Sequence, residues 1–567
     1  MNIAKGERRK EGLLSWSVSH LSFLLFAFSS LIYLLTMDRS TSWWDCGEFI
    51  TTGWMLGVGH PPGAPAYQLL SHLFMLLSFG NPMLVAPLSN AFSALCGGAT
   101  VGLLYMTLRE LEVRPFGAAV GALCYLFCDT VWFSAVESEV YAPAMLFCAL
   151  DVWLALRWRR TGNARLLVVL GLMLGLGIGV HLMTLLVVPA LALIVFPKVA
   201  KTSSFPGLFR VLVVAFLFFL LGLSPYASVP IRAASNPPIN EMKDGFGAYL
   251  KRDQYEKAPL YPRMWRERDS TNWRQWNLGA KGVAGEVVYG VGYQLGYMYG
   301  RYLMNNFIGR MTNHERPRLA LFILPLLLAM AGIWFHRKRN RLDYWVVMLL
   351  FLFGGVILNI YLNHPCYEPR SRDYVYVLSY YAVALWIGVG ADCLPRRWWR
   401  WLALLAPLTL AIDNWSDHDR SRSHSVHDIA TNHLESCDPD AILITLGDND
   451  TFPLWYLQQV EGRRTDVDVY NIGLTGWSKV QRIIGEAGDR PVYFTQYFVD
   501  RYANLFPNQL RCEGFCWRLC PGAGYDLTPI VHDGIEWHIT DGEYIDRVSA
   551  NFYNKWRSIH GPLPFDR

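Results

Sequence analysis

The chain has 567 residues, of which 52% are hydrophobic, 14% aromatic and only 17% charged, with a net charge of +5. Soluble domains carry about 25% charged residues, so this composition excludes an ordinary soluble enzyme and indicates a polytopic membrane protein. The basic residues cluster between apolar runs, which is typical of topology signals and not of a nucleic-acid surface.

The first apolar run predicts a retained membrane anchor. The basic stretch KGERRK precedes it and no small-residue cleavage site follows it, so we expect helix 1 over about 19–37 with a cytoplasmic N-terminus. A first outer loop follows at 38–83. Its segment 66–79 is short and amphipathic, which is typical of a helix lying along the membrane surface.

The first outer loop contains the candidate active site, in the stretch TSWWDCGEFITTGWMLGVGHPPGAP at 41–65. Asp45 and Glu48 are three residues apart, which places both on one face of a helix. The prolines of HPPG cannot donate backbone hydrogen bonds, so the chain leaves the helix and the turn holds His60 near the carboxylates. Such groups are costly between membrane segments unless they pair, reach water or react. The competing interpretation is that they cap a juxtamembrane helix in water.

The remaining apolar runs complete a predicted set of about eleven transmembrane helices within residues 1–414. Glycines interrupt the run at 166–196, which predicts two short helices that meet at His181 and open a cavity. A long polar and aromatic outer loop at 230–318 is placed to cover the site like a lid. The other expected helices lie at about 84–108, 116–135, 208–229, 319–335, 343–362 and 399–413, with one after the turn at 137–143 and one ending at Pro395.

The tail, 415–567, loses the membrane pattern and predicts a soluble α/β domain in the periplasm. AILITLGDNDTFPLWYLQQV indicates a strand, a turn and a helix, and TDVDVYNIGL a second strand. Asp448 and Asp450 of GDND resemble a metal motif, but such pairs commonly stabilise tight turns. For the tail cysteines we favour at least one disulfide over a metal site, because their spacing does not match the usual Cys-x2-Cys knuckle; they are Cys437, Cys512, Cys516 and Cys520.

This topology gathers charged residues on the outer side. Carboxylates with arginines suit a reaction in which a base deprotonates a hydroxyl while cations hold a departing phosphate. Each member also has a structural interpretation: a helix cap for the glutamates, a hydrogen-bonded histidine at the helix break, an ion-pair network for the arginines. The candidates are Asp45, Glu48, His60, Glu137, Glu139, His181, Arg232, Arg310, Arg370 and Arg372.

The motifs resemble a known family. WWDCGEFITTGWMLGVGHPPGAP, ESEVYA, GVHLMTLL, EPRSRDYVY and LGDNDTFPLWYLQQVEGRRTDV are similar to the bacterial multi-pass proteins of domain of unknown function 2723. That family is related to the eukaryotic transmembrane protein O-mannosyltransferase and resembles the C-type (GT-C) glycosyltransferases. The similarity covers nearly the whole chain.

The resemblance implies a glycosyltransferase with a catalytic acid in the first outer loop and a polyprenyl-phosphate-linked sugar as donor. Carried onto this sequence, Asp45 is the base and Glu48 the second carboxylate. The donor phosphate is then expected near Arg370 and Arg372, with His60 or His181, and the reaction inverts the anomeric carbon. No metal is expected; a magnesium or manganese ion, if one is used, would take Asp45, Glu48 and Glu139 as ligands.

The sequence thus predicts a bacterial inner-membrane enzyme that transfers a sugar to Ser or Thr hydroxyls of exported proteins. One alternative is transfer of a sugar or a preassembled oligosaccharide to a glycolipid or envelope polysaccharide. Two others, of different classes, are a transporter or flippase for a lipid-linked sugar, because broken helices also occur there, and a scaffold whose tail recruits partners.

Overall fold

The computed structural model describes residues 20–199, 205–265, 274–309, 323–366, 370–395, 397–521, 526–535, 537–538 and 545–563. Most of the part before the tail is helical. Its α-helices are His20–Thr36, Cys46–Trp54, Pro65–Met75, Val85–Glu110, Pro115–Leu126, Asp129–Ala135, Tyr141–Thr161, Arg165–Val180, Val188–Val199, Phe205–Gly222, Ser228–Ala234, Phe246–Lys251, Gly282–Val287, Gly300–Ile308, Leu324–Arg339, Arg341–Phe351, Ile357–Leu362, Val377–Asp392, Arg397–Leu402 and Leu405–His418.

Several of these helices are long and apolar enough to cross a membrane. Among the described residues five pass by length and composition, and a sixth does so if one bent pair counts as a single span. In the apolar window of Asp373–Asp392, at the centre of the bundle, 94% of the residues are buried, whereas in that of Gly207–Ala234, at its edge, 6% are buried. A polytopic helical membrane protein is therefore confirmed, and the number eleven stays a prediction.

Two expected helices are broken. The one expected at about 116–135 bends by 66° between Pro115–Leu126 and Asp129–Ala135. Asn306 explains the bend, because its Oδ1 accepts the Thr130 backbone N–H at 2.9 Å and satisfies the start of the second piece. The helix expected at about 399–413 is also two pieces, Arg397–Leu402 and Leu405–His418.

The predicted break at His181 is confirmed. Arg165–Val180 ends there, His181 is extended, with φ −161° and ψ 140°, and a short 3-10 helix, Leu182–Val187, leads into Val188–Val199. The His181 ring Nδ1 accepts the Met183 backbone N–H at 3.2 Å, which caps this second segment.

The basic helix ends form ion pairs at one end of the bundle. Arg157 and Arg160 contact Glu110 at 3.1 and 2.9 Å. Glu110 ends helix Val85–Glu110. Near the other end of this helix, Asn90 Nδ2 donates to the Asp38 carbonyl at 2.9 Å. The rise from Asn90 to Glu110 is about 30 Å at ~1.5 Å per residue, about the thickness of a bilayer core. The basic ends and the first loop therefore lie on opposite sides of a membrane-length helix, and which side faces the cytoplasm stays a prediction.

The tail contains five described strands: β1 Ile442–Thr445, β2 Asp468–Asn471, β3 Val492–Thr495, β4 Leu510–Glu513 and β5 Cys516–Leu519. They form one sheet in the order β2-β1-β3-β5-β4. Strand β1 is parallel to β2 and β3, while β5 is antiparallel to β3 and β4. The helices of the tail are Ser425–Glu435, Phe452–Gln459, Ile472–Thr475, Trp477–Gly485, Gln496–Tyr502 and Arg547–His560.

The tail and the first loop share one core. Cys46 and Ile50 pack in the same buried cluster as Leu454 and Leu457 of the tail. Helix Cys46–Trp54 approaches the tail so closely that a Cβ on Gly47 would lie 2.6 Å from the Phe452 carbonyl oxygen. The tail is therefore packed against the loop that carries Asp45.

The disulfide prediction for the tail is wrong in this structure. All eleven cysteines, each within the described residues, are free thiols. Cys437 and Cys516 lie beside one another under helix Ser425–Glu435, where both sulfurs contact the His433 carbonyl, at 3.4 and 3.3 Å. They behave as small buried apolar residues and do not form a disulfide.

Candidate active site

Helix Cys46–Trp54 positions both predicted carboxylates at its N-terminus. Asp45 is the N-cap residue, but its side chain makes no capping hydrogen bond, and Glu48 lies in the first turn. The side chain of Asp45 is 22% exposed and that of Glu48 is 1% exposed. Acidic side chains are common in the first turn of a helix, because the helix N-terminus carries a partial positive charge.

Glu48 is bound by the HPPG turn. The His60 backbone N–H donates to Glu48 Oε1 at 2.7 Å, and the His60 ring Nδ1 lies 2.5 Å from Oε2. Gly59 allows this approach, because a Cβ there would lie 3.1 Å from Oε1. Burial lowers the pKa of His60, but the Glu48 carboxylate outweighs it and raises the pKa to about 10. The predicted meeting of His60 with a carboxylate is confirmed, and the pair is an ion pair near neutral pH.

Asp45 faces a cation instead. Arg370 Nη2 lies 3.7 Å from Asp45 Oδ2. The guanidinium is held over two rings, 4.2 Å from the centre of Trp44 and 4.5 Å from that of Tyr374. Cation–π contacts of this kind fix the plane of an arginine while its N–H groups stay directed outward.

The two glutamates of ESEVYA have different surroundings. Glu137 is buried against Arg420, whose Nη1 donates to Glu137 Oε2 at 2.6 Å, so its observed contacts are those of a structural ion pair. Glu139 is also buried, and among the described residues its Oε2 has no hydrogen-bond partner. Burial and then the charge of Asp45 raise the pKa of Glu139 well above its usual value, against the effect of Arg370. This environment therefore favours the neutral form of Glu139.

The structure joins His181 to the Arg370 side of the site. Its ring lies 5.4 Å from Tyr141, and Tyr141 lies 4.7 Å from Tyr374. Its ring Nδ1 accepts the Met183 backbone N–H and caps the following helix. This nitrogen therefore has the structural, hydrogen-bonding role that the sequence analysis gave as one interpretation of His181.

The other predicted arginines are placed differently. Arg232 is buried and donates to the Gly57 carbonyl and to Gln68 Oε1, both at 2.9 Å. These hydrogen bonds connect helix Ser228–Ala234 to the first outer loop. The Arg372 backbone N–H donates to the Tyr302 hydroxyl at 3.2 Å. Arg310 lies outside the described residues.

The long outer loop contacts the site from the His60 side. The Val58 backbone N–H donates to the Ile239 carbonyl and the Glu241 N–H donates to the Val58 carbonyl, both at 2.9 Å. The Tyr249 hydroxyl donates to the Gly59 carbonyl at 2.8 Å. These contacts place the start of the loop beside the HPPG turn, and closure as a lid stays a prediction.

The tail adds residues that the sequence interpretation did not assign to the site. Asn449 Oδ1 accepts the Trp44 backbone N–H at 2.7 Å. Asp448 is reached by water, yet partial burial and the charges of Asp45 and Glu48 raise its pKa to about 6, against the opposing effects of His60 and Arg370. The available signal was the position of GDND at the carboxyl end of a strand, where α/β sheets commonly bind ligands.

The described residues do not offer an obvious metal site. No group of three or more His, Cys, Asp and Glu side chains in the described part of the chain is arranged to hold a metal ion. Of the three expected ligands, Glu48 is paired with His60 and Asp45 faces Arg370. Metal independence stays a prediction.

Fold and site together define the class of protein. It is a multi-pass helical membrane protein in which two loop carboxylates and an arginine meet an α/β tail at one end of the bundle.

Within that class, the chain is similar to the TMEM260 proteins. Residues 45–204 match the Protein O-mannosyl-transferase TMEM260 N-terminal domain, and residues 426–478 match TMEM260-associated domain 2. The resemblance expected from the motifs is confirmed. Asp45 begins the first matched segment, and GDND lies in the second.

The relatives are distant and longer. The chain is 26% identical over 477 residues to Protein O-mannosyl-transferase TMEM260 of Mus musculus, which covers 79% of this chain and 62% of that protein. It is 21% identical over 506 residues to tmem260 of Dictyostelium discoideum, covering 80% and 57%. The chain thus spans about three fifths of these curated relatives. The solved S. cerevisiae protein O-mannosyltransferase Pmt1-Pmt2 complex bound to the sugar donor aligns over 39% of this chain and 34% of that chain, at 21% identity and a TM-score of 0.31.

Proposed function

We propose that this protein is a GT-C-type glycosyltransferase of the bacterial inner membrane. It transfers a sugar from a polyprenyl-phosphate-linked donor to Ser or Thr hydroxyls of exported proteins, with the N-terminus cytoplasmic and the tail periplasmic. The observation that carries the proposal is the partly exposed Asp45 carboxylate, 3.7 Å from an arginine held between two aromatic rings. The relatives are named protein O-mannosyl-transferases, which supports the same reaction type and sugar.

Asp45 is the base in this reaction. It accepts the proton of the acceptor hydroxyl while that oxygen forms a bond to the anomeric carbon of the donor sugar. The bond between the anomeric carbon and the phosphate oxygen breaks, and its electron pair leaves with the polyprenyl phosphate. Arg370 stabilises the phosphate charge as it develops, because a guanidinium binds two phosphate oxygens at once and stays protonated.

The state of Glu48 supports inversion. A retaining double displacement requires a second carboxylate as nucleophile, about 5–5.5 Å from the first across the sugar. Glu48 is buried and both of its carboxylate oxygens contact His60, so it is not presented to a sugar. A single displacement with Asp45 as the base then inverts the anomeric carbon.

The donor's lipid chain lies among the helices and its phosphate at the end of the bundle that carries Arg370. The helix break at His181 and the aromatic contacts from His181 through Tyr141 to Tyr374 border that position. Glu139 lies next to Asp45, and in its protonated form it can donate a hydrogen bond to a sugar hydroxyl.

The test reconstitutes the full chain in proteoliposomes with polyprenyl-phosphate-linked radiolabelled mannose and a short Thr-containing peptide. The proposal predicts label on the peptide with inverted anomeric configuration, and no label with Asp45→Asn. Label that ends in added glycolipid and not in peptide contradicts the acceptor. Label that crosses the bilayer without a covalent product contradicts the enzyme and favours the transporter.

A further inference from the structure

The turn that contains Asp448 lies where α/β sheets usually bind ligands. Strand β1 is the middle of the parallel part of the sheet, with β2 on one side and β3 on the other. From the carboxyl end of β1 the chain continues to β2 on one side, and from the carboxyl end of the neighbouring β3 it continues to β4 on the other side, so the direction of the connections reverses between β1 and β3. A crevice forms at such a reversal in open α/β sheets and holds the ligand. Here Gly447–Asn449 occupies that position and faces the first outer loop.

The turn is stabilised by other residues. Asp450 accepts the backbone N–H groups of Leu446 and Gly447, at 3.1 and 2.7 Å, and its carboxylate also accepts the Thr495 hydroxyl. The Thr451 hydroxyl donates to the Gly447 carbonyl at 2.6 Å. Asp450 therefore fulfils the turn-forming role expected of an Asp-x-Asp pair, and the Asn449 side chain is directed to Trp44.

Asn449 holds Trp44 in an unusual conformation. Trp44 has φ 61°, in the left-handed region that bulky residues rarely adopt, and its N–H donates to Asn449 Oδ1 at 2.7 Å. Asn449 is buried, so this hydrogen bond is shielded from water. The Trp44 backbone leads directly into Asp45, and its ring lies under the Arg370 guanidinium. One tail side chain thus sets the position of the base and of the cation together.

Asp448 is the solvent-facing neighbour of this arrangement. Its side chain is exposed, whereas Glu48 and Glu139 are buried. It is close enough to Asp45, Glu48, His60 and Arg370 for all four charges to act on it. A carboxylate in this place can accept hydrogen bonds from the peptide N–H and hydroxyl groups of an acceptor.

We propose that the tail completes the catalytic centre, with Asn449 as the positioning residue for Asp45 and Arg370 and Asp448 as the contact for a peptide acceptor. This inference rests on the proposed function. It assigns the tail a part in the reaction itself, and it makes the membrane helices alone insufficient for transfer.

The experiment compares variants of the full chain in the same proteoliposomes, with labelled polyprenyl-phosphate-linked mannose and the Thr-containing peptide. Asn449→Leu removes the accepting oxygen at similar size, and Asn449→Asp keeps an accepting oxygen. Asp448→Asn removes the exposed charge. Its matched control is Asp489→Asn. Asp489 is an exposed tail aspartate that precedes β3, so it lies at the amino end of the parallel strands, opposite the carboxyl end that carries Asp448. Donor hydrolysis without peptide is measured in parallel, together with Tm.

We expect Asn449→Leu to lower kcat for transfer and the rate of donor hydrolysis at least fiftyfold, with little change in either KM. Asn449→Asp should recover much of this loss. Asp448→Asn should raise the KM for the peptide at least tenfold and leave the hydrolysis rate within twofold. Kinetic parameters of Asn449→Leu and Asp448→Asn that match those of Asp489→Asn would overturn the inference.

The hydrolysis measurement separates this inference from the proposed function. If the wild-type chain hydrolyses the donor but labels no peptide, the proposed acceptor is wrong, and the Asn449 claim is then judged on hydrolysis alone. Hydrolysis that falls in Asn449→Leu and returns in Asn449→Asp supports the positioning role. Hydrolysis that is unchanged in Asn449→Leu rejects it.

Discussion

The two carboxylates at the start of helix Cys46–Trp54 have opposite surroundings. Glu48 is almost fully buried and both of its oxygens contact His60, twelve residues later in the chain. Asp45 is partly exposed and faces Arg370, which comes from a distant segment. Spacing alone made them equivalent candidates. Their partners make Glu48 a fixed part of the loop and leave Asp45 as the group that can meet a substrate.

The substitution Asp45→Asn tests whether Asp45 takes part in transfer, and it should change the rate more than any other variant. The change keeps size and removes the proposed base, so transfer should fall about a thousandfold, within the 10²–10⁴ range of general base catalysis. Initial rates of label transfer to peptide measure it, and Tm in detergent should be unchanged. Activity within tenfold of wild type would mean that Asp45 is not the base.

Arg370→Lys tests the cation that faces Asp45. Lysine keeps the charge but lacks the planar group that stacks between Trp44 and Tyr374 and binds phosphate oxygens in pairs. We expect a fall of about 10–100-fold in kcat/KM for the donor, which corresponds to about 1.4–2.8 kcal/mol at ~1.4 kcal/mol per tenfold. Kinetics at varied donor concentration measure it. An unchanged kcat/KM would remove Arg370 from the phosphate site.

Gly47→Ala tests how far the site depends on the fit between loop and tail. The added Cβ would lie 2.6 Å from the Phe452 carbonyl oxygen, and overpacking of this kind costs about 1–3 kcal/mol. The expected result is a lower Tm and lower activity, because the Asp45 loop moves away from Asn449. Gly485→Ala is the matched control, since a Cβ there meets nothing within 4 Å. Equal Tm values for the two variants would contradict the tight packing.

Glu48→Gln tests the structural side of the comparison. Glutamine keeps the shape but loses the charge-assisted hydrogen bonds to His60, which are worth about 1.5–3 kcal/mol. We expect a clear drop in Tm and less than a tenfold loss of transfer, the reverse of the Asp45→Asn pattern. A loss of activity as large as that of Asp45→Asn, at unchanged Tm, would assign Glu48 to the chemistry.

The stability that the Glu48–His60 pair contributes should depend on pH, and this effect should be the smallest of the five. The pKa of His60 is raised to about 10 in the folded protein, against ~6.5 when unfolded. The pair's contribution to stability is therefore fully present below about pH 6.5 and is lost as pH rises through about 10. The Tm difference between wild type and Glu48→Gln should narrow from pH 7 to pH 10.5. A difference that stays constant over this range would show that His60 is not charged in the folded state.

Local patterns in the sequence predicted much of the helical fold. The helix at 20–36, the break at His181 and the contact of His60 with Glu48 all follow from short-range rules of hydropathy, glycine and proline. The bend after Leu126 was missed, because its cause is the side chain of Asn306, 180 residues later.

The site was less predictable, since its decisive contacts join distant segments. Glu137 is a predicted substrate-binding residue, and the structure pairs it with Arg420, 283 residues later in the chain. Asn449 was not considered at all, because nothing in GDND indicates that its amide oxygen accepts the Trp44 N–H. Spacing located the ionisable groups, but burial and long-range partners decide what each can do.

The most direct test of the account is a structure of the full chain with the polyprenyl-phosphate-linked sugar bound. We predict the phosphate beside Arg370, the anomeric carbon facing Asp45, and Glu48 still paired with His60. A phosphate held by His60 with Glu48 turned towards the sugar would contradict the division of roles on which the account depends.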